Sequence, residues 1–316
     1  MQFSVYQESA LGARKLNQDR MGYSYSREAL LLVLADGMGG HARGEVAAML
    51  AMQTLSTLFQ KAAKPYVKLP ERFLEEALLA THLEIHRYRA AHQLPDTPRT
   101  TIVACLIQHN TAIWAHCGDS RLYWVRQGQL LARTRDHSHI ELLIARGEAA
   151  PAERHTHPDR NKLYNCLGAS TPPQIEISRP ASLQPGDVLM VCSDGLWSQL
   201  DDRDIAARLA NDTIARAVPD MIRVATAKAG TSADNTTALA IVWQGGGAEA
   251  HSEITATAHM ETLVSTRMMA EDSVSDQMDT APAADADAFD EDEIERAIAE
   301  IRGAIDKSNQ VLKGKT

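Results

Sequence analysis

Four aspartates stand where apolar runs meet glycine or small polar residues: Asp36 in Asp36-Gly37-Met38-Gly39-Gly40, Asp119 in Gly118-Asp119-Ser120, Asp194 in Ser193-Asp194-Gly195, and Asp234 before Asn235. The runs beside them, at 29–34, 111–117, 188–192 and 238–243, have strand length, and glycine forbids their regular continuation. Strand ends converge on one rim of a sheet. Carboxylates crowded there repel one another unless a cation neutralises them. An aspartate before a glycine is, by itself, an ordinary turn residue. Four in one chain point instead to a divalent metal site. Oxygen donors select hard cations such as manganese or magnesium, and the scattered cysteines and histidines lack zinc-ligand spacing.

The rest of the chain supplies a globular body. Its 316 residues with 44% hydrophobic content suffice for a sizeable core. The apolar run at 29–35 is far short of the roughly 20 residues needed to span a bilayer. No membrane span is expected. Residues 1–15 lack the apolar centre of an export signal, so a cytoplasmic location is expected. Cys105, Cys117, Cys166 and Cys192 have no paired spacing, and they read as reduced, mostly buried thiols. The net charge is -9, and residues from His251 onward, with 15 acidic and 6 basic groups, account for all of it. A neutral body with an acidic tail offers no basic surface for nucleic acid or lipid headgroups.

Along the chain, helices are expected at 45–62, with Val46, Leu50, Leu55 and Leu58 sharing a face, and at 70–92, with Leu74, Leu78 and Leu79 on one side. Residues 101–107 and 111–117 read as antiparallel neighbours, and 122–126 runs into a turn at Gln127-Gly128. A helix at 140–146 leads into an irregular polar excursion at 147–161. Two helices then cross 204–229, and 238–243 is the last strand. The folded body is taken as 1–247. Residues 248–288, rich in Ala, Ser, Thr and Asp, read as a disordered linker. Residues 289–316 carry an amphipathic helix, with Ile294, Ile298, Ile301 and Ile305 on one face, which docks either on its own domain or on a partner.

In order along the chain stand Arg14-Lys15-Leu16-Asn17-Gln18-Asp19, Asp36-Gly37-Met38-Gly39-Gly40-His41, Gly118-Asp119-Ser120-Arg121, Ser193-Asp194-Gly195 and Asp234-Asn235. This series resembles the type 2C, or PPM, family of metal-dependent serine/threonine protein phosphatases, bacterial members above all, from about residue 3 to 243. The resemblance implies an α+β fold, a two-sheet antiparallel β-sandwich flanked by helices. It implies two Mn2+ or Mg2+ ions, or three. Asp36 would bridge two metals, the Gly37 carbonyl would bind one of them, and Asp194 with Asp234 the other. Asp19 would act through metal-held water, and Asp119 with Asp194 would form a third site. Arg14 would grip the substrate phosphate, and residues 140–165 would form a flap beside the site.

The chain departs from animal relatives at Met38, where they carry a histidine thought to act as general acid. Methionine cannot donate a proton, and nothing in the sequence places His41 at the leaving group, so water held by the metals is the expected donor. Gln18 stands in place of a glutamate. Arg99 stands where the family usually has glycine, which makes a different local loop expected. His137, His139, His155 and His157 fit no ligand pattern and read as exposed loop histidines. The implied substrates are phosphorylated proteins, with a cognate serine/threonine kinase as the opposing partner. Two other readings stay open at this stage, a non-catalytic phosphoprotein-binding relative and a hydrolase of small phosphoesters.

Overall fold

The computed structural model describes residues 1–38, 43–245 and 265–268. Two antiparallel sheets lie face to face between helices. One has the strand order β1 (Gln2–Ala10), β11 (Thr236–Gly245), β10 (Val188–Cys192), β6 (Arg121–Arg126), β7 (Gln129–Arg133). The other runs β12 (Ser265–Met268), β2 (Asp19–Tyr25), β3 (Ala29–Asp36), β4 (Ile102–Gln108), β5 (Thr111–Cys117), β8 (Glu176–Ile177), with β9 (Ala181–Ser182) also on β5. Helices α1 (Gly44–Ala62) and α2 (Pro70–Ala91) cover the second sheet, and α5 (Asp202–Asn211) and α6 (Ile214–Ala229) cover the first. This is the expected α+β sandwich.

Period-two alternation explains why the central strands read as unbroken apolar runs. In β3, Ala29, Leu31 and Val33 face α1 and α2, while Leu30, Leu32 and Leu34 pack between the sheets against Leu189, Val191, Leu239 and Ile241. In β10, Val188, Met190 and Cys192 turn instead toward α6. Strands buried on both faces need apolar residues at every position. The three apolar layers fix register, because a one-residue slip would exchange the two faces of a strand.

Several expectations change in detail. The buried face of α1 is Ala47, Ala48, Ala51, Leu55 and Phe59, with Val46 and Leu50 only half buried. Small side chains let this helix lie close against the sheet. Strands β1 and β2, absent from the sequence reading, are half-polar segments whose partners β11 and β3 determine them. Ser265–Met268, inside the stretch expected to be linker, pairs with β2, Ser265 opposite Tyr25 and Met268 opposite Gly22, so these four residues are strand rather than disordered chain. The remaining linker and the 289–316 helix lie outside the described residues. All four cysteines are buried and unpaired, as expected.

The 140–165 excursion contains α3 (His139–Ala145) and a short 3-10 turn (Pro151–His155), and its base closes where Ser138 bridges Leu163. Its return leg is tied in two places. Leu167 exchanges backbone hydrogen bonds with Thr100 at 3.0 and 3.2 Å, and the Gly168 N–H donates to Nδ1 of buried His82 on α2 at 3.2 Å. Burial, with the nearby His86 charge adding to it, lowers the His82 pKa to about 4. The unfolded chain therefore takes up a proton below about 6.5 that the folded protein refuses until about 4. The His82 contribution to stability is therefore full above pH 6.5 and lost as pH falls through that window. Asp19 and Asp119, raised to about 6 and about 7, titrate over the same range with the opposite sign, so the contribution is read by difference: between pH 7 and pH 5, His82→Gln should gain stability relative to the unsubstituted protein in urea titrations.

Candidate metal centre and phosphate site

The acidic rim is made by antiparallel pairing. Asp36 is the last residue of β3 and Asp19 the first of β2, directly opposite each other in register. Asp119 follows β5, and Asp194 follows β10 at the start of the short helix α4 (Asp194–Trp197). Asp234 differs from the expectation that every one of these aspartates ends a strand, because it precedes β11. Since β11 runs antiparallel to β10, its beginning lies at the same rim as the end of β10.

Backbone contacts hold these turns in place. The Asp36 carbonyl accepts from the Thr101 N–H at 2.8 Å and the Thr100 hydroxyl at 2.9 Å. The Gly37 N–H donates to the Gln18 carbonyl at 3.1 Å, and the Met38 N–H donates to the Arg99 carbonyl at 3.0 Å. Gly37 has a second reason to be glycine besides a carbonyl open to an ion. An added Cβ would lie 2.4 Å from the Gly44 carbonyl oxygen, so the start of α1 could not close on this loop. At Gly195 an added Cβ would lie 2.1 Å from the Asn235 carbonyl oxygen, which couples the Asp194 and Asp234 turns. His41, with Gly39 and Gly40, lies outside the described residues.

The electrostatics follow from five acids sharing one rim. Burial pushes the Asp19 carboxyl up to about 6, against hydrogen bonding from Thr237 and Ser193, and the Asp234 charge adds to the rise. Burial and then Asp136 raise Asp119 to about 7. Asp36 is raised well above the usual carboxylate range by burial and by Asp19, Asp194, Asp119 and Asp234. Asp194 is raised by burial and by Asp119, Asp234 and Asp19. Asp19 Oδ2 accepts from the Ser193 hydroxyl at 2.7 Å, while its buried Oδ1 has no hydrogen-bond partner among the described residues. An orphaned oxygen among mutually repelling carboxylates is a donor set that fits a hard dication.

Arg14 reaches the same rim from the loop between β1 and β2. Its Nε and Nη2 donate to the two oxygens of Asp234 at 2.8 and 2.6 Å, and its charge is drawn on by Asp234, Asp194 and Asp36. All the residues expected at the site from sequence thus share one rim through their segments or their charges.

Residues 7–228 match the family described as Protein phosphatase 2C. The chain belongs to this family. It is the metal-dependent serine/threonine phosphatase family that the motif series resembles, of bacterial type, and Mn2+ or Mg2+ dependence comes with membership. The serine/threonine protein phosphatase PstP of Mycobacterium tuberculosis is 31% identical over 229 residues, 72% of this chain and 42% of that protein, so this chain spans less than half of PstP. The crystal structure of Stp1 from Staphylococcus aureus is 27% identical with a TM-score of 0.69, covering 78% of this chain and 96% of that one. The PstP catalytic domain in complex with two manganese ions is 29% identical with a TM-score of 0.64, covering 76% and 97%.

Some residues near this phosphatase's rim have partners that their place in the sequence does not show. The Arg121 guanidinium, 2% exposed, is paired to Asp136 by two hydrogen bonds of 2.8 and 2.7 Å and stacks 3.6 Å over the Trp197 ring, whose Nε1 donates to the Asp119 carbonyl. Arg99 is half-buried, with a buried Nε that has no hydrogen-bond partner among the described residues. The histidine reading needs correction. His137 is buried rather than exposed, lies over His116 at 4.6 Å, and forms with His116 and Glu176 a group of metal-ligating spacing. Its Nδ1 accepts from the Gly118 N–H and is contacted by the Asn165 amide, whose other contacts to Gln174 fix it as a donor. The proton therefore sits on Nε2, facing Glu176 at 3.5 Å, so His137 offers a hydrogen bond there rather than a free lone pair. His139 and His157 are half-buried.

The rim's repulsion makes a prediction of opposite signs. In chelator, Asp36→Asn removes one member of the cluster and should raise the melting temperature by about 2–4 °C, the shift given by about 1 kcal/mol in a domain of this size. In millimolar MnCl2 the same variant should melt below the unsubstituted protein. Thermal melts under both conditions check both signs.

Proposed function

We propose that the chain hydrolyses phosphoserine and phosphothreonine in proteins by direct attack of water, with Asp36, Gly37, Asp194 and Asp234 holding two dications and Asp119 with Asp194 a third. The observation that carries this reading is the convergence of Asp19, Asp36, Asp119, Asp194 and Asp234 from separate segments, with the carboxyls of Asp19, Asp36, Asp119 and Asp194 made weaker acids by burial and by the charges of their neighbours. Bound Mn2+ or Mg2+ supplies a lowered water pKa and positive charge for the electron-rich transition state. The residues of the chain do the rest. Asp36, the last residue of β3 before the Gly37 turn, would contribute its carboxylate to holding the ions. Asp19, set opposite it and oriented by Ser193, keeps one oxygen free to accept from water.

Arg14 binds the substrate phosphate. Its planar guanidinium already makes the paired hydrogen bonds to two oxygens that a phosphate would accept, and it is exposed on the solvent side of the rim. Met38, beside the site, has no proton to give, so water is the acid for the leaving serine or threonine oxygen. No side chain needs to become phosphorylated.

Phosphoproteins made by a serine/threonine kinase are the substrates, which sets the chain against that kinase in the cytoplasm. No helix among the described residues is long and apolar enough to cross a membrane.

A phosphothreonine peptide should release phosphate with MnCl2 and none with excess chelator. Asp36→Asn and Asp234→Asn should each lower kcat by about 100-fold or more, the scale of losing one electrostatic contact to the transition state. Unchanged turnover in both would remove the metal reading. Arg14→Ala should instead raise KM by about tenfold, as expected for a lost charge-assisted hydrogen-bond pair. A chain ending at 247 should keep peptide turnover.

A further inference from the structure

We propose that Asn235 is a positioning residue for substrate binding, whose side-chain amide clamps both ends of the loop that carries Arg14. The inference rests on the reading of Arg14 as the phosphate-binding group.

Residues 11–18 connect β1 to β2. At the far end Asn17 is buried and its amide bonds Ser9 and the Asp19 N–H, but residues 11–16, which carry Arg14, are all exposed, with Leu11 at 42%, Leu16 at 48% and the Arg14 side chain at 58%. That exposed part is held chiefly by its backbone, and the groups that hold it come from the turn before β11. The Ala13 N–H donates to the Ala233 carbonyl at 2.9 Å. Gly12, at φ 63°, lies so close to this turn that an added Cβ would stand 2.3 Å from the Asp234 carbonyl oxygen. Asn235, only 6% exposed, then reaches both ends. Its Oδ1 accepts from the Gln18 N–H at 2.8 Å, and its Nδ2 donates to the Leu11 carbonyl at 3.0 Å.

The Leu11 carbonyl also accepts from the Arg14 N–H at 3.4 Å, so the atom Asn235 holds is the one that closes the turn bearing Arg14. The two bonds fix the amide's orientation, because the flipped amide would set oxygen against the Leu11 carbonyl and NH2 against the Gln18 N–H. Position 235 thus requires one donor and one acceptor on a short side chain. Aspartate would keep the Gln18 bond, lose the Leu11 bond and set a charge against a carbonyl. Alanine would lose both.

Asn235 can be tested separately from the metal ligand beside it. Its backbone N–H, which every variant retains, donates to Asp234 Oδ1 at 2.8 Å, so the support for that carboxylate stays in place. Asn235→Ala should raise KM for a phosphothreonine peptide, and the inhibition constant of inorganic phosphate, by about tenfold, with kcat falling less than about threefold. Asn235→Asp should lie between this variant and the unsubstituted protein, and it carries the same comparison if the alanine variant does not fold. In an Arg14→Ala background, Asn235→Ala should change KM by less than about twofold, because the loop then has no guanidinium to place.

A purely structural role would move the melting temperature and kcat and would act equally in both backgrounds. The inference is overturned if KM and phosphate inhibition are unchanged in Asn235→Ala and Asn235→Asp, or if the loss is as large without Arg14 as with it. If Arg14→Ala itself leaves KM and phosphate inhibition unchanged, the phosphate-binding reading of Arg14 fails first. Any loss in Asn235→Ala then does not pass through Arg14.

Discussion

Carboxylates held in one place against their mutual repulsion are the constraint on which the rest of this structure depends. Asp19 faces Asp36 because β2 pairs antiparallel with β3, and Asp194 shares a rim with Asp234 because β10 pairs antiparallel with β11. Neither arrangement is stable by itself. Raising Asp19 to about 6 corresponds to a cost of the order of 3 kcal/mol for keeping it ionised at neutral pH, a large fraction of a domain's net stability. The three apolar layers offset this cost and hold the strand ends still. A dication at the rim turns the repulsion into attraction, so binding and folding draw on the same contacts.

Close approach of backbone to backbone keeps the rim narrow. Gly37 lets the start of α1 touch the β3 turn, and Gly195 lets the Asn235 carbonyl lie over the start of α4. Between them the Ser193 hydroxyl donates to Asp19 and accepts from the Thr237 N–H, joining β10, β11 and β2 through one oxygen. The return leg of the excursion reaches the same place, since Thr100 pairs with Leu167 and its hydroxyl bonds the Asp36 carbonyl. A displacement of that leg is therefore felt at Asp36 through two hydrogen bonds, without contact between the excursion and the carboxylate itself.

What the sequence made legible and what it hid divide along physical lines. Strands buried on both faces, such as β3, β4 and β10, are visible as continuous apolar runs, and the aspartates are visible because glycine interrupts those runs. Strands β1 and β2 have half-exposed or polar faces, so their pairing rather than their composition makes them strands. The α1 face was misplaced toward Val46 and Leu50 because burial there depends on closeness, which favours Ala47, Ala48 and Ala51 over larger side chains. His137 looked like a loop histidine because the partners that bury it, His116, Asn165 and Glu176, are far away in sequence. The amide of Asn235 was part of a recognised string, yet nothing local shows that it reaches Leu11 and Gln18.

Two arginines near the rim show how burial decides what a charge can do. Arg121 and Asp136 are 2% and 1% exposed, and breaking such a pair would strand a buried charge at a cost of about 3–5 kcal/mol. That guanidinium is committed to structure, supporting the turn of Asp119 through Trp197. Arg14 makes the same paired geometry to Asp234, but the two side chains are 58% and 37% exposed, and a pair so open to solvent contributes about 0–1 kcal/mol. It can exchange one oxyanion for another at little cost. The loop beneath it has to be held firmly for that exchange to be directed, because a weak ion pair cannot position the arginine that makes it. Backbone bonds to Ala233 and the amide of Asn235 supply that hold from the turn that carries Asp234. The geometry of phosphate recognition is therefore set by the same few residues that set the acidic rim.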